Sequence, residues 1–266
     1  MLEAASFFDL TSFDHREIFE NTQCVWEGLK KLKAYMDRME YGSFVHEDFR
    51  DGVPLRNHLL FYNEHLQSAD GCSIAWNDVA KGKLSVMRDG KELTGASVIM
   101  AGAVIMGRRI LLGKGVLVEA GALIKEPAII GDQTEIRQGA YVRGYCLTGK
   151  RCVVGHTTEV KHSIFLNDAK AGHFAYLGDS ILGNDANLGA GTKFANLRFL
   201  PGNVQVRTGS SVIDSGLRKF GAILGDRAQS GCNAVTSPGT LIGPDGILMP
   251  NTTAASGLHS KKAVIR

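Results

Sequence analysis

Residues 124–142 read Ile124-Lys-Glu-Pro-Ala-Ile-Ile130-Gly-Asp-Gln-Thr-Glu-Ile136-Arg-Gln-Gly-Ala-Tyr-Val142, with an aliphatic side chain at every sixth position. Met100, Met106, Leu112 and Val118 continue the series upstream, and Val154, Val160 and Leu166 continue it downstream, with Thr148 the one break. Four residues after most of these stands a small or narrow side chain, as at Val116, Ala122, Ala128, Thr134, Ala140, Cys146, Cys152 and Thr158. A period of six matches neither the roughly 3.6 of an amphipathic helix nor the alternation of a flat strand. It describes a chain that turns a corner every hexad. Three hexads close a triangular coil of about eighteen residues, and coils stack at roughly 4.8 Å, the spacing of hydrogen-bonded strands. The aliphatic residue fills the prism. The glycine that often follows it (Gly107, Gly113, Gly131, Gly149, Gly155) suits a corner that needs positive φ or close backbone approach. The fold class predicted is mainly β, a parallel β-helix of hexapeptide repeats with a small helical N-terminal region.

Outward from that core, residues 1 to about 42 predict helix, with Trp26, Leu29, Leu32, Met36 and Met39 at helical steps and charged residues between them. An open solenoid end needs a cap, so this stripe is expected to pack on the base of the prism or on a neighbouring subunit. Residues 43–70 give weak signals. Asp89-Gly90 between short apolar runs predicts a β-hairpin leading into the first coil. The division expected is therefore a helical N-terminal region over 1–70, a hairpin lead-in over 71–95 and a β-helix over 96–266 with a loop inserted at 198–219.

Among 266 residues there are 32 glycines and only 6 prolines, which suits a corner-rich solenoid. A net charge of +3, with no long basic run, argues against nucleic acid as a partner. Five cysteines without a CxxC spacing argue against a disulfide framework or a zinc knuckle, and Cys146 and Cys152 read as compact core plugs. Met1 to Leu10 lacks the basic start of a signal peptide, and no apolar run is long enough to span a bilayer, so no membrane and a cytoplasmic location are expected.

The rhythm fails in two places. After Leu166 the next aliphatic position falls on Gly172-His173, and the pattern resumes out of step at Leu177. Residues 198–219 then carry no hexads, yet hold Arg198, Arg207, Arg218 and Lys219. Breaks in a strict repeat are where sites are expected, because a regular prism offers no pocket. Arg143 and Lys161 are eighteen residues apart, one coil, and so stack on one face. Like charges at strand spacing repel, which predicts a shared anion such as a phosphate. His173 follows at a corner, and Tyr176 and Asn187 offer neutral groups for sugar hydroxyls.

Lys170-Ala-Gly-His-Phe-Ala-Tyr-Leu-Gly-Asp179 and Leu188-Gly-Ala-Gly-Thr192, with the upstream Arg143 and Lys161, resemble the acetyltransferase half of the bacterial bifunctional N-acetylglucosamine-1-phosphate uridyltransferase/glucosamine-1-phosphate acetyltransferase. Ala195-Asn-Leu-Arg198 and the segment from Asp214 to Asp226 are more similar to the archaeal-type version. The resemblance implies a left-handed β-helix, a homotrimer with sites between prisms, and acetyl-CoA as co-substrate in UDP-N-acetylglucosamine biosynthesis. It implies His173 as general base, Arg143 and Lys161 on the sugar phosphate, and Tyr176, Asn187 and Asn196 on the amino sugar. Ala190 and Cys232 fall where acetyl-CoA is contacted. The chemistry agrees, since an attacking amine must lose a proton and an imidazole is suited to take it. A backbone N–H of Gly189-Ala190-Gly191 would serve the oxyanion.

Three departures stand out. The first ninety residues hold no Gly-rich nucleotide loop after a strand, Leu200-Pro-Gly-Asn-Val-Gln205 replaces a family lysine, and Cys232 stands in place of a serine. The inserted loop is expected to lie over the groove and restore the lost cation through Arg198 or Arg207. Rival readings are a non-catalytic sugar-phosphate or nucleotide-binding protein, an acyltransferase for another nucleotide-linked amino sugar, and a zinc carbonic anhydrase using His156, His162 and His173. The histidine separations and the nearby cations argue against zinc, so no metal is expected.

Overall fold

The computed structural model describes residues 2–209 and 211–266. Its main body is a left-handed parallel β-helix of about nine turns. Along its first face run nine parallel strands, from Ser97–Ile99 to Val264–Ile265. The second and third faces share one continuous sheet, because Tyr141–Thr148 and Glu159–Phe165 run round the corner between them.

The repeat is made of the residues the hexads select. Leu112, Val118, Ile124, Ile130, Ile136, Val142, Val154 and Val160 all enter the buried prism core, with Ala122, Ala128, Ala140, Cys146 and Cys152 at its narrow positions. Burying an aliphatic side chain of this size stabilises by about 1.5–3 kcal/mol, repeated at every hexad. At the start of the series the inward residues are Ile99 and Ile105, one place before Met100 and Met106. Val98 pairs with Leu117 and Ile99 with Val118, so the first coil is one residue longer than the eighteen that separate Leu117, Glu135 and Val153.

The break in register lies upstream of its expected place. Arg143 pairs with Lys161, but Cys146 pairs with Ser163, so Gly144 and Tyr145 stand opposite His162 alone. One corner residue is thereby lost, and Phe165 fills the prism while Leu166 turns outward into a different cluster. His173 is therefore a corner residue within a regular stretch, not a residue at the slip. Val153, Lys170 and Asn187 remain in register at the shortened interval.

Among the described residues, α-helix forms only over Glu27–Asp37 (α1), and the rest of residues 2–42 is 3₁₀ turns and irregular chain. The Glu27 carboxylate accepts the N–H groups of Gln23 and Cys24, which fixes the helix start. A Cβ on Gly28 would stand 2.7 Å from the Phe19 ring, so glycine lets the helix press on that side chain. The expected stripe is apolar and buried at Trp26, Leu29, Leu32 and Met36. It covers neither the prism base nor a partner. It lies on the third face, where Ile129, Leu147, Ile164, Ile181, Ile223 and Leu241 point outward and are fully buried beneath it.

The base is closed by the segment with weak sequence signals. Leu59–Tyr62 and His65–Ser68 form a hairpin through Asn63 and Glu64, whose φ values of 51° and 66° are those of a primed two-residue turn. Its first strand joins the first face antiparallel to Ser97–Ile99, and Phe44, Phe49, Leu55 and Phe61 seal the prism. The hairpin across Asp89-Gly90 forms as expected, within a three-stranded sheet of Cys72–Trp76, Leu84–Arg88 and Lys91–Glu92.

The described residues of 198–219 dock on the third face and not over the second. Gln205–Thr208 and Ser211–Asp214 pair as a hairpin, and Val204 and Val206 are fully buried in the third-face cluster. Ser256 donates to the carbonyl of Gln205, which ties the hairpin to the last coils, and Arg198 turns back on Asn203. Alternate apolar residues direct the hairpin onto an apolar face and carry Arg207 with it, while Arg198 is held within its own loop.

Candidate functional site

The outward side chains of the second face repeat as two columns. Tyr141, Glu159, Tyr176 and Lys193 stand in register, and beside them Arg143, Lys161 and Gly178. The predicted stacking of Arg143 and Lys161 is thus met. Each cation already has a carboxylate between itself and the next coil. Arg143 donates to Glu159 at 2.7 Å, and the Lys161 ammonium lies 3.0 Å from both oxygens of Asp179. Interleaved carboxylates remove the repulsion, so the stack does not by itself require a bound anion. The Glu159 hydrogen bond holds the Arg143 guanidinium above its usual pKa.

Asp179 is the hub that sequence reasoning left without a role. Its side chain is 7% exposed. Besides Lys161 it accepts hydrogen bonds from His162 Nδ1 at 2.9 Å and Asn196 Nδ2 at 2.6 Å. Burial works to raise its pKa, but the His162 hydrogen bond and the Lys161 charge outweigh burial and hold it below the ordinary range. Tyr176 reaches over the same strand. A Cβ on Gly178 would fall 2.7 Å from the Tyr176 hydroxyl and closer still to Asn196 Nδ2, so only glycine lets those two groups approach. Burial, then the charges of Glu159 and Asp179, push the Tyr176 phenol up and keep it neutral. The signal for Asp179 was present in the sequence as the last residue of the YLGD segment.

His173 lies at the corner between the first and second faces. It is exposed, and it pairs in register with His156, whose Nδ1 is 2.9 Å from the carbonyl of Gln138. Asn187 pairs with Gln229 and Leu188 with Ser230, which carries the same corner from His173 to Ala190 and on to exposed Cys232. A Cβ on Gly189 would stand 2.5 Å from the carbonyl carbon of Gly231, so these coils approach too closely for any side chain there. Gly189 and Gly191 spend their N–H groups on the carbonyls of Ser230 and His173. Among the described residues the Ala190 N–H has no such backbone partner, which narrows the expected oxyanion donor to that one group.

The structure thus gathers Arg143, Lys161, Tyr176 and Asn196 on the second face, and His173, Ala190 and Cys232 along the corner that borders it. Asn187 is not with the first group, because it projects from the first face on the far side of the corner. Among the described residues no three His, Cys, Asp or Glu side chains are grouped to hold a metal ion, and His162 is engaged with Asp179. No helix of the described residues is long and apolar enough to cross a membrane.

Residues 124–217 match the family model described as the GMPPB C-terminal domain. The bifunctional sugar-1-phosphate nucleotidylyltransferase/acetyltransferase of Sulfurisphaera tokodaii is 39% identical over 104 residues, 39% of this chain and 26% of that protein. The bifunctional protein GlmU of Methanococcus vannielii is 33% identical over 127 residues, 48% of this chain and 30% of that protein. A solved mutant of perosamine N-acetyltransferase from Caulobacter crescentus, in complex with CoA and GDP-perosamine, is 26% identical. It covers 45% of this chain and 57% of that one at a TM-score of 0.29. The matched region spans under a third of the length of the two bifunctional proteins. The chain carries a β-helix that resembles the acetyltransferase half of the bifunctional uridyltransferase/acetyltransferase proteins.

Proposed function

We propose that this protein transfers an acetyl group from acetyl-CoA to the amine of an amino-sugar 1-phosphate, glucosamine 1-phosphate first among them. The observation that carries the reading is the alignment of His173, Ala190 and Cys232 along one corner, beside a face bearing Arg143, Lys161, Tyr176 and Asn196. In this reading His173 takes the proton from the attacking amine as the tetrahedral intermediate forms. The Ala190 N–H donates to the oxyanion, and the activated thioester needs no nucleophile from the protein. Arg143 and Lys161 exchange part of their hold on Glu159 and Asp179 for the phosphate, while Tyr176 and Asn196 orient the sugar. Cys232 lies along the path of the CoA arm.

The assembly in this reading is a homotrimer with the β-helix over 96–266 as its body. Phe174, Phe199 and Leu200 are 56%, 107% and 65% exposed at the two edges of the second face, and a neighbouring prism would cover them. Asn187, on the first face, would then complete the site of an adjacent subunit. The protein is taken to work in the cytoplasm, as expected of an enzyme using acetyl-CoA. The test is release of free thiol from acetyl-CoA over a panel of amino-sugar phosphates.

One observation favours a second reading, a sugar-phosphate-binding protein without chemistry. Arg143 and Lys161 are already paired with carboxylates, and Arg198 is spent on the carbonyl of Asn203. Calorimetric binding of a sugar phosphate with no thiol release would select that reading.

A further inference from the structure

On three successive coils the corner between the second and third faces is turned by a non-glycine residue in the left-handed region, Tyr145, His162 and Asp179, with φ values of 59°, 47° and 50°. Such conformations are unfavourable for histidine and tyrosine, of order 1–3 kcal/mol in strained sites, and persist only where the surroundings hold them. Here the surroundings are identifiable. The corner is one residue shorter at His162 than at Gly144-Tyr145, and this brings the imidazole to Asp179 from the preceding coil. The Tyr145 ring meets His162 edge-on at 6.4 Å and 74°. Its hydroxyl lies 3.1 Å from Asp37 at the end of α1, and Lys33 of the same helix stands over the ring at 5.2 Å.

We propose that His162 and Asp179 are positioning residues, which fix Lys161 and Asn196 for the phosphorylated sugar, and that α1 braces them through Tyr145. The proposal rests on the acetyltransferase reading of the site. A free lysine ammonium is a mobile point charge that loses about 2 kcal/mol of rotamer freedom when held. Asp179 holds it before substrate arrives. Asn196 binds the same carboxylate, so one buried group sets the distance between a cation and an amide on the two coils that flank its own. Asp179 gains its own orientation from the backbone as well, since its N–H donates to the carbonyl of Lys161 and its carbonyl accepts from Gly221. Because the phosphate takes no part in the bond made at the amine, loosening a hub that holds only phosphate and sugar contacts weakens binding more than it slows the chemical step.

The test compares the unsubstituted protein with His162→Ala and His162→Asn. Asparagine tolerates the left-handed backbone, and its amide nitrogen takes the place of ring Nδ1, since both are bonded to Cγ. Three quantities are measured: the Kd of glucosamine 1-phosphate by calorimetry, KM and kcat, and the titration midpoint of the Asp179 carboxyl by carbon NMR without ligand. His162→Ala should weaken Kd and KM by about tenfold with kcat within about twofold, and should move the Asp179 midpoint upward. His162→Asn should restore most of the affinity. An unchanged Kd with lower thermal stability would make the contact merely structural and overturn the proposal, as would His162→Asn behaving like His162→Ala with an unmoved midpoint. If the unsubstituted protein binds no amino-sugar phosphate, the acetyltransferase reading falls and takes this ligand with it. The midpoint, read without ligand, distinguishes that failure from a failure of the His162–Asp179 contact.

Discussion

Replacing Lys161 by alanine separates phosphate recognition from the chemistry. The Lys161 side chain is 26% exposed, and its ammonium rests on both oxygens of Asp179, whose side chain is 7% exposed. A hydrogen bond to a charged group contributes about 1.5–3 kcal/mol, or roughly 10–150-fold in affinity. In the resting protein that donor is already engaged with Asp179, so phosphate gains only by exchange. The loss should lie at the lower end, about tenfold in KM for glucosamine 1-phosphate. Activity on the free amino sugar should scarcely change. The variant should also lose about 1 kcal/mol of stability, because Asp179 keeps only His162 and Asn196 as side-chain donors. The pH dependence follows from the lowered Asp179 pKa. A carboxyl lowered on folding adds stability above its unfolded value, near 4, and loses it as pH falls through the folded value. Without Lys161 the folded value rises toward the unfolded one, so stability falls less steeply below about pH 4 than in the unsubstituted protein. Steady-state kinetics on the two substrates and denaturant titrations across pH check these points. Equal losses on phosphorylated and free sugar would refute the phosphate role and assign Lys161 to the fold alone.

His173→Ala should cut acetyl transfer by about 10²–10⁴-fold and leave the melting temperature nearly unchanged, because the residue is exposed at a corner. Turnover near the original value would remove it from the chemistry. Ile164→Ala should cost about 2–5 kcal/mol in denaturant unfolding, since the side chain is fully buried between the third face and the N-terminal segment. A cost below 1 kcal/mol would show that this segment is not docked as described. Light scattering should give three chains per particle, and Phe199→Ser with Leu200→Ser should shift the population toward monomer. A monomer at micromolar concentration for the unsubstituted chain would contradict the shared site.

The prism was legible because one physical demand, an aliphatic residue per corner-to-corner step, is written directly into residues 112–160. Its ends were less so. Met100 and Met106 are as apolar as Ile99 and Ile105, so a one-residue difference in coil length left no trace in composition. The location of the slip was hidden for the same reason, because Phe165 and Leu166 are adjacent and both buried, one into the prism and one beneath the N-terminal segment. Helical spacing from Trp26 to Met36 gave the stripe but not its surface, since outward Ile164 or Ile181 looks like any other strand residue in a list of hexads. Within the site, the stacking of Arg143 on Lys161 followed from coil length. The carboxylates that neutralise them did not, because Glu159 and Asp179 reach their partners only once consecutive coils are superposed.

The most direct test of the central claim is the thiol-release assay with purified protein, acetyl-CoA and glucosamine 1-phosphate, run beside His173→Ala. The account predicts stoichiometric release of CoA and formation of an N-acetylated sugar phosphate, abolished or reduced by at least about a hundredfold in the variant. Saturable binding of the sugar phosphate with no CoA released, under conditions where the trimer is intact, would contradict it.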